Sequence, residues 1–235
     1  MSQDRSEAVV VRGVDFSETS RIVTFLSPTR GRLTCLAAGA RRPGSRIGGL
    51  LDTFNRLEIV YYWKDSRSVQ KLGEVTLLDD FQGIKSDLDK TAYAAFVLEF
   101  ASKTAQENEP SSLLYETLVC GMQGMARWAG CARVHAAWQV LQLLRVAGFD
   151  PQLESVPQKG GVPFSYESGV VESGETFDVT LSSEAVVSMK AMAAAREACV
   201  ESAHGETVFK ALRGYIAHHW DTDFRSLRLI DRICN

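Results

Sequence analysis

The sequence predicts an α+β protein, a five-stranded β unit over residues 1–80 followed by an all-α helical domain over residues 81–235. Three observations carry this reading. Apolar residues alternate or cluster in short runs up to Asp80, then recur at spacings of three and four from about Gln82 onward. Pro and Gly punctuate the first part at close intervals, as turns between short strands require. Charge also changes sign between the parts. Residues 1–78 hold twelve Lys/Arg against eight Asp/Glu, a net +4, and residues 79–235 hold fourteen against twenty-one, a net −7.

Taken in order, "AVVVRGVDF" is a β-branched run and "SRIVTFLS" a second strand, with "PTRGR" as the hairpin turn into "LTCLAAGA". An arginine-rich loop follows. "TFNRLEIVYYW", in which Phe54, Leu57, Ile59 and Tyr61 alternate with polar or edge residues, is the fourth strand, and "SVQKLGEVTLLDDF" the fifth. Five such strands in 80 residues make a small barrel or sandwich. Three helical segments come next, "DLDKTAYAAFVLEFASKTAQE", "SSLLYETLVCGMQGMARWAG" and "ARVHAAWQVLQLLRVAGF". Ser111 or Ser112 is the expected N-cap of the second, and Gly148 the expected stop of the third. Residues 148–181 hold five glycines, three prolines and four serines, and read as a long ordered or semi-ordered insertion between helices. Helix resumes at Ser182, an expected cap, and again after Gly205, and the ending "FRSLRLIDRICN" is expected to pack back on the body.

Composition excludes several classes. No apolar run reaches the ~18 residues of a membrane span, and the start "MSQDRSEAVVVRG" lacks the long apolar stretch of a secretory leader, so a cytoplasmic protein with no membrane partner is expected. Cys35, Cys120, Cys131, Cys199 and Cys234 stand far apart with no CxxC pair, as scattered reduced thiols do. There is no phosphate-binding P-loop, GxSxG elbow or HExxH motif to support an enzyme. His218 and His219 are adjacent, so on a helix their side chains point about 100° apart and cannot share one ligand. His135, beside Trp138, reads as a surface or core histidine, and Asp79 and Asp80 as a strand end.

The local charge is more informative than the net −3. Residues 12–46 contain Arg12, Arg21, Arg30, Arg32, Arg41, Arg42 and Arg46 against only Asp15 and Glu18. Within it, "AAGARRPGSRIGG" carries three arginines, four glycines and no acid. Glycines let backbone approach a strand, and arginines neutralise phosphates and stack on bases, so the segment suits a polyanion groove. Phe16, Phe25, Phe54, Tyr61, Tyr62 and Trp63 lie on or beside the strands. The same pattern is also that of a solvated loop over an aromatic core.

The ordered set "VVRGVDFSETSRIVTFLSPTRGRLTCLAAGARRPGSRIGGLLDTFNRLEI" resembles the N-terminal oligonucleotide-binding domain, an OB-fold barrel, of the RecO family of bacterial DNA repair and recombination proteins. The matching features are "SETSRIVTFLS" after a strand-ending acid, the "RGR" hairpin, the "GARRPGSR" loop and the "LLDTFNRLE" strand entry. The helical domain is similar to that family's in outline, with "LLRVAGFDPQLE" at the end of its third-helix region. The resemblance implies a recombination mediator and not an enzyme. Such a protein binds single- and double-stranded DNA, anneals complementary strands, engages the C-terminal tail of single-stranded DNA-binding protein and works with RecR to load recombinase on gapped DNA. It assigns strand contact to Arg21, Arg30, Arg32, Arg41, Arg42 and Arg46. Arg127, Arg133, Arg145, Arg225, Arg228 and Arg232 are candidates for the acidic-tail site, and no cofactor is implied. The alternative is a small-barrel adaptor that binds protein without touching DNA.

The sequence departs from the family in one respect. Many members carry two CxxC zinc pairs after "GFDPQL", where this chain has Ser155 with Gln158 and Glu172 with Glu175. A hydroxyl, an amide and two carboxylates are too weak and hard a set for structural zinc, so no metal is expected and the insertion reads as a degenerate zinc-finger-like loop. A carboxylate site for a harder cation at Glu172 and Glu175 is the alternative.

Overall fold

The structure is a computed structural model that describes residues 2–154, 161–172, 174–196 and 203–234. The chain packs as two compact units, Met1–Gln82 with Leu98–Cys120, and Gly83–Val97 with Gly121–Asn235.

The first unit is built on five strands, β1 (Ser2–Asp15), β2 (Arg21–Ser27), β3 (Gly31–Ala37), β4 (Arg56–Trp63) and β5 (Gln70–Asp79). They close into a barrel in the order β1-β2-β3-β5-β4, with β1 returning to β4. The barrel form of the expected β unit is therefore the one adopted. β1 is long enough to serve two neighbours. Its first half pairs with β4 from Ser2↔Trp63 to Val9↔Arg56, its second half with β2 from Val9↔Leu26 to Asp15↔Arg21, and a register shift between Val10 and Arg12 bends it between them. The barrel is filled by alternate side chains such as Ala8, Val10, Val23, Phe25, Leu33, Cys35, Leu57, Ile59 and Tyr61. Burial pushes the Cys35 thiol up to about 12, so it behaves as a small apolar core residue. Cys120 and Cys131 are exposed. Phe54 is buried but is not on the fourth strand as the alternation suggested. It has φ +77° and donates its N–H to Val10 O, a turn conformation that delivers the chain into β4 at Arg56.

Helices α1 (Gln82–Lys85), α2 (Leu88–Thr104) and α3 (Ser112–Arg127) follow. Asp79 and Asp80 accept the N–H groups of Phe81 and Gln82, turning the strand end into α1. Residues 106–111 dock on the β2–β3 turn. Arg32 N donates to Gln106 O (3.0 Å) and Ser111 N to Pro28 O (2.9 Å). Ser111 O then accepts the N–H of Tyr115, which opens α3. Gly31 sits at the centre of this contact with φ +54°, and a Cβ there would lie 2.4 Å from Gln106 O and 2.6 Å from Glu109 O.

The second unit centres on α4 (Ala132–Ala147), which is buried on almost every side and so lacks a one-sided apolar stripe. Gly148, with φ +78°, closes it by donating to Arg145 O, as expected. The insertion is not irregular. Among the described residues it forms a three-stranded antiparallel sheet, β7-β6-β8, from β6 (Gly161–Ser165), β7 (Gly169–Val170) and β8 (Val179–Ser182). Val162, Phe164, Val170 and Leu181 are its buried apolar residues, and the two-residue period of Val162 and Phe164 is hidden in the sequence by the surrounding turn residues. Ser182 then caps α5 (Ser183–Ala194) by accepting the Ala185 N–H. Helices α6 (Gly205–His219) and α7 (Arg225–Ile233) complete the chain. Phe209 packs edge-on against Tyr93 and Phe96, and Phe224, at the start of α7, against Phe96, so the terminal segment does fold back. No helix among the described residues is long and apolar enough to cross a membrane.

His135 is a core residue of α4, 1% exposed between the rings of Trp128 and Trp138. Among the described residues its Nδ1 has no hydrogen-bond partner, and burial, aided by Lys90, lowers its pKa to about 4. The unfolded chain therefore takes up this proton first. The His135 contribution to stability is complete above about pH 6.5 and lost as the pH falls toward 4, by up to about 3 kcal/mol. Denaturant titrations at pH 7 and pH 5 should show a larger acid loss for the wild type than for His135→Phe; equal losses would exclude the effect. A second prediction concerns Gly31. Gly31→Ala meets backbone oxygens in a left-handed conformation and should cost roughly 2–4 kcal/mol by the same method. Gly44→Ala, with φ +76° and open space around it, should cost only about 1 kcal/mol.

Candidate nucleic-acid interface

The barrel divides the six arginines assigned from the sequence into two groups. Arg21, at the start of β2, pairs in register with Ala37, the end of β3, while Arg30 and Arg32 flank the start of β3. Seven residues of extended chain put the two groups about 20 Å apart along the strands. Arg41, Arg42 and Arg46 belong with Arg21, because Arg41 N donates to Thr19 O (3.0 Å) and so ties the β3–β4 loop to the β1–β2 turn.

Within that first group the guanidinium groups have different surroundings. Asp15 accepts from Arg21 Nε (3.1 Å) and pairs with Arg41 Nε (3.2 Å). Arg41 also donates from Nη1 to Ser17 O at 2.7 Å. Its side chain is thus a strut between two loops. Arg42 and Arg46 are exposed, and among the described residues neither has an ion-pair or side-chain hydrogen-bond partner. The loop that carries them is a succession of turns, with Arg42 N donating to Gly39 O and Ser45 N to Arg42 O. Leu51 and Ala40 anchor it in the barrel core, and Asn55 Nδ2 donates to Leu50 O.

At the other end Arg30 pairs with Asp4 (3.0 Å) and lies over the Trp63 ring at 4.1 Å. Burial is the largest single influence and works against its charge, but Asp4 and Tyr61 together outweigh it and raise its pKa. Arg32 pairs with Glu107 (3.1 Å) and donates to Ser102 O (3.4 Å). It forms one wall of a cavity of about 330 Å³ on the outer face of β1, β2 and β3, with Arg12, Thr24, Thr34 and Lys103 among the other walls. Arg12, outside the assigned set, is exposed there without an ion-pair partner among the described residues. Its place in the arginine-dense segment was visible in the sequence. The acid that holds Arg32 was not, since Glu107 is 75 residues away in the chain.

In the second unit several of the candidate tail-binding arginines have local partners. Arg133 donates to Tyr93 Oη (2.6 Å) and Cys234 O (3.2 Å) and pairs with Glu206 (3.0 Å). Arg145 pairs with Asp150 and Arg228 with Asp223, while Arg127 and Arg232 are exposed. His219 Nε2 donates to Glu167 O (3.0 Å) and packs with Tyr215, Phe149 and Trp220, a structural setting. Ser155 and Gln158 lie outside the described residues, and Glu172 and Glu175 face each other only through a backbone turn, Glu175 N to Glu172 O. Two carboxylates do not fit structural zinc, and among the described residues no three His, Cys, Asp or Glu side chains gather to hold a metal.

Comparison with known proteins agrees with this architecture. Residues 1–81 match the family description "Recombination protein O N terminal", and residues 85–228 match "Recombination protein O C terminal". The DNA repair protein RecO of Anaeromyxobacter dehalogenans is 28% identical over 251 aligned positions, covering 99% of this chain and 98% of that protein. The DNA repair protein RecO of Exiguobacterium sibiricum is 32% identical over 165 positions, covering 69% of this chain and 65% of that protein. That of Salinibacter ruber is 29% identical over 181 positions, covering 74% and 69%. With both halves matched in order on a closed five-stranded barrel followed by helices, the chain belongs to the RecO family of DNA repair proteins.

Proposed function

We propose that the protein binds single- and double-stranded DNA through its N-terminal domain, residues 1–80, anneals complementary strands, and with RecR helps load recombinase onto gapped DNA. The observation that supports this best is the pair Arg42 and Arg46, exposed without partners on a loop that Arg41 fixes to the barrel. Two polyanions approach only if their charge is neutralised, and an annealing protein needs that neutralisation without a grip on base edges. Arginines unpaired in the protein supply it. Arg21 and Arg41 share Asp15 and add a weaker field, and Arg30 and Arg32, each already paired with an acid, contribute less. The acidic C-terminal tail of single-stranded DNA-binding protein is the proposed partner of the helical domain, residues 81–235. No covalent step is required, which is why the protein is read as a mediator and not an enzyme. Binding of this kind would place it in the cytoplasm, on the nucleoid.

Fluorescence anisotropy of a labelled single-stranded oligonucleotide at several salt concentrations tests the reading. Arg42→Ala/Arg46→Ala should weaken binding and flatten the log–log salt slope by about 1.4 units, two phosphate contacts at ~0.7 each. Arg30→Ala should change the slope far less. If the wild type does not bind the oligonucleotide at any salt concentration, an adaptor that touches only protein replaces the DNA reading. Arg41→Ala should act differently, by freeing the loop. Trypsin cleavage after Arg46 should be accelerated roughly fivefold or more, the effect of losing about 1 kcal/mol of hydrogen bonding.

A further inference from the structure

Phe16, at the tip of the β1–β2 hairpin, is 63% exposed, and Val14, two residues before it on β1, is 51% exposed. Single apolar side chains on a surface are ordinary. What distinguishes Phe16 is how firmly its backbone is held and what surrounds it. Phe16 N donates to Ser20 O (3.1 Å), Ser17 N to the same oxygen (3.4 Å), and Ser20 N to Ser17 Oγ (3.2 Å), so the turn is closed on itself. From outside, Arg41 holds Ser17 O and Thr19 O, and Asp15, the residue before Phe16, accepts from Arg21 and Arg41. Arg21 and Arg41 are matched in charge by Asp15 and by the exposed Glu18 of the same turn, so the positive balance near the ring comes from Arg42 and Arg46 on the loop tied to it.

We infer that Phe16 is a stacking platform for an unpaired nucleobase of a single strand whose phosphates lie against the neighbouring arginines. This rests on the DNA-binding reading above and adds a base contact to it. A hairpin tip projects a ring outward, which suits a flat base that stacks on one face, and a ring on a fixed turn loses little freedom when the base arrives. Stacking is tolerant of sequence, in keeping with annealing of any complementary pair, and it releases the Watson–Crick edge for pairing because only the π-face is engaged. In this arrangement Arg41 is a positioning residue: it fixes the turn that carries the ring.

The test compares the wild type, Phe16→Ala and Phe16→Trp on two labelled strands of equal length, oligo(dT) and an abasic strand that has the phosphates without the bases. Phe16→Ala should weaken binding to oligo(dT) roughly fivefold or more, leave the salt slope unchanged, and leave binding to the abasic strand unchanged, while Phe16→Trp retains wild-type affinity. Circular dichroism should be identical for all three, as expected for a side chain this exposed. Equal affinity of Phe16→Ala and wild type for oligo(dT), or an equal loss on both strands, overturns the inference while the salt-dependent binding of the wild type leaves the DNA reading in place. If the wild type binds neither strand, both fall together.

Discussion

Every strand of a closed barrel pairs along both of its edges, and the long strand β1 does so with a different half of its length for each neighbour. Its fourteen residues are shared between β4 and β2, with the register shift at Val10–Arg12 turning the direction between the two ladders. The rest of the first unit depends on this division. Because β1 continues past the bend to Asp15, its hairpin with β2 projects beyond the end of β3, and there it meets the loop that leaves β3 at Ala37. The opposite closure is slight, two parallel pairs between β3 and β5, supported by buried Gln70, which bonds Lys64 and Arg67 across the β4–β5 turn.

The same geometry sorts the charges. Seven arginines within 35 residues would repel one another if gathered in one place, and the barrel holds them at two ends with acids placed beside most of them. Asp4, Asp15 and Glu107 each hold arginines in defined positions, and two of these acids come from segments that the arginines do not adjoin in the chain. Arg42 and Arg46 are left facing solvent. An ion pair at a surface contributes little to stability, so these pairs matter chiefly for where they put the side chains.

The helical unit follows different physics. α4 is buried almost throughout and packs with α5 and α6, and its core tolerates a neutral histidine between two indole rings at the cost of one unsatisfied nitrogen. Arg133, Arg145, Arg213 and Arg228 are engaged by local partners, Arg133 most completely. The degenerate insertion is held by a small sheet, by the Gln152↔Gly169 bridge and by the buried Phe164, Val162 and Leu181, which are contacts that need no metal.

Outside the insertion, the order and type of the elements are legible in the sequence. Strand alternation in "RLEIVYYW", the helical spacing of Val134, Trp138, Leu141 and Leu144, the Ser182 cap and the Gly148 stop are local signals, set by backbone chemistry within a few residues. It also determined the basic segment, since charge density needs no fold to be counted. Only the tertiary structure decided which arginines are available. Glu107 and Arg32 are 75 residues apart, Asp4 and Arg30 are 26 apart, and Arg41 reaches Ser17 across 24. Phe54 shows the same limit at the level of the backbone, where its apolar character fits a strand but the turn into β4 requires a positive φ. The strands of the insertion were hidden because two-residue periodicity over four or five positions is short beside its glycines and prolines, and pairing between strands supplies what local sequence does not.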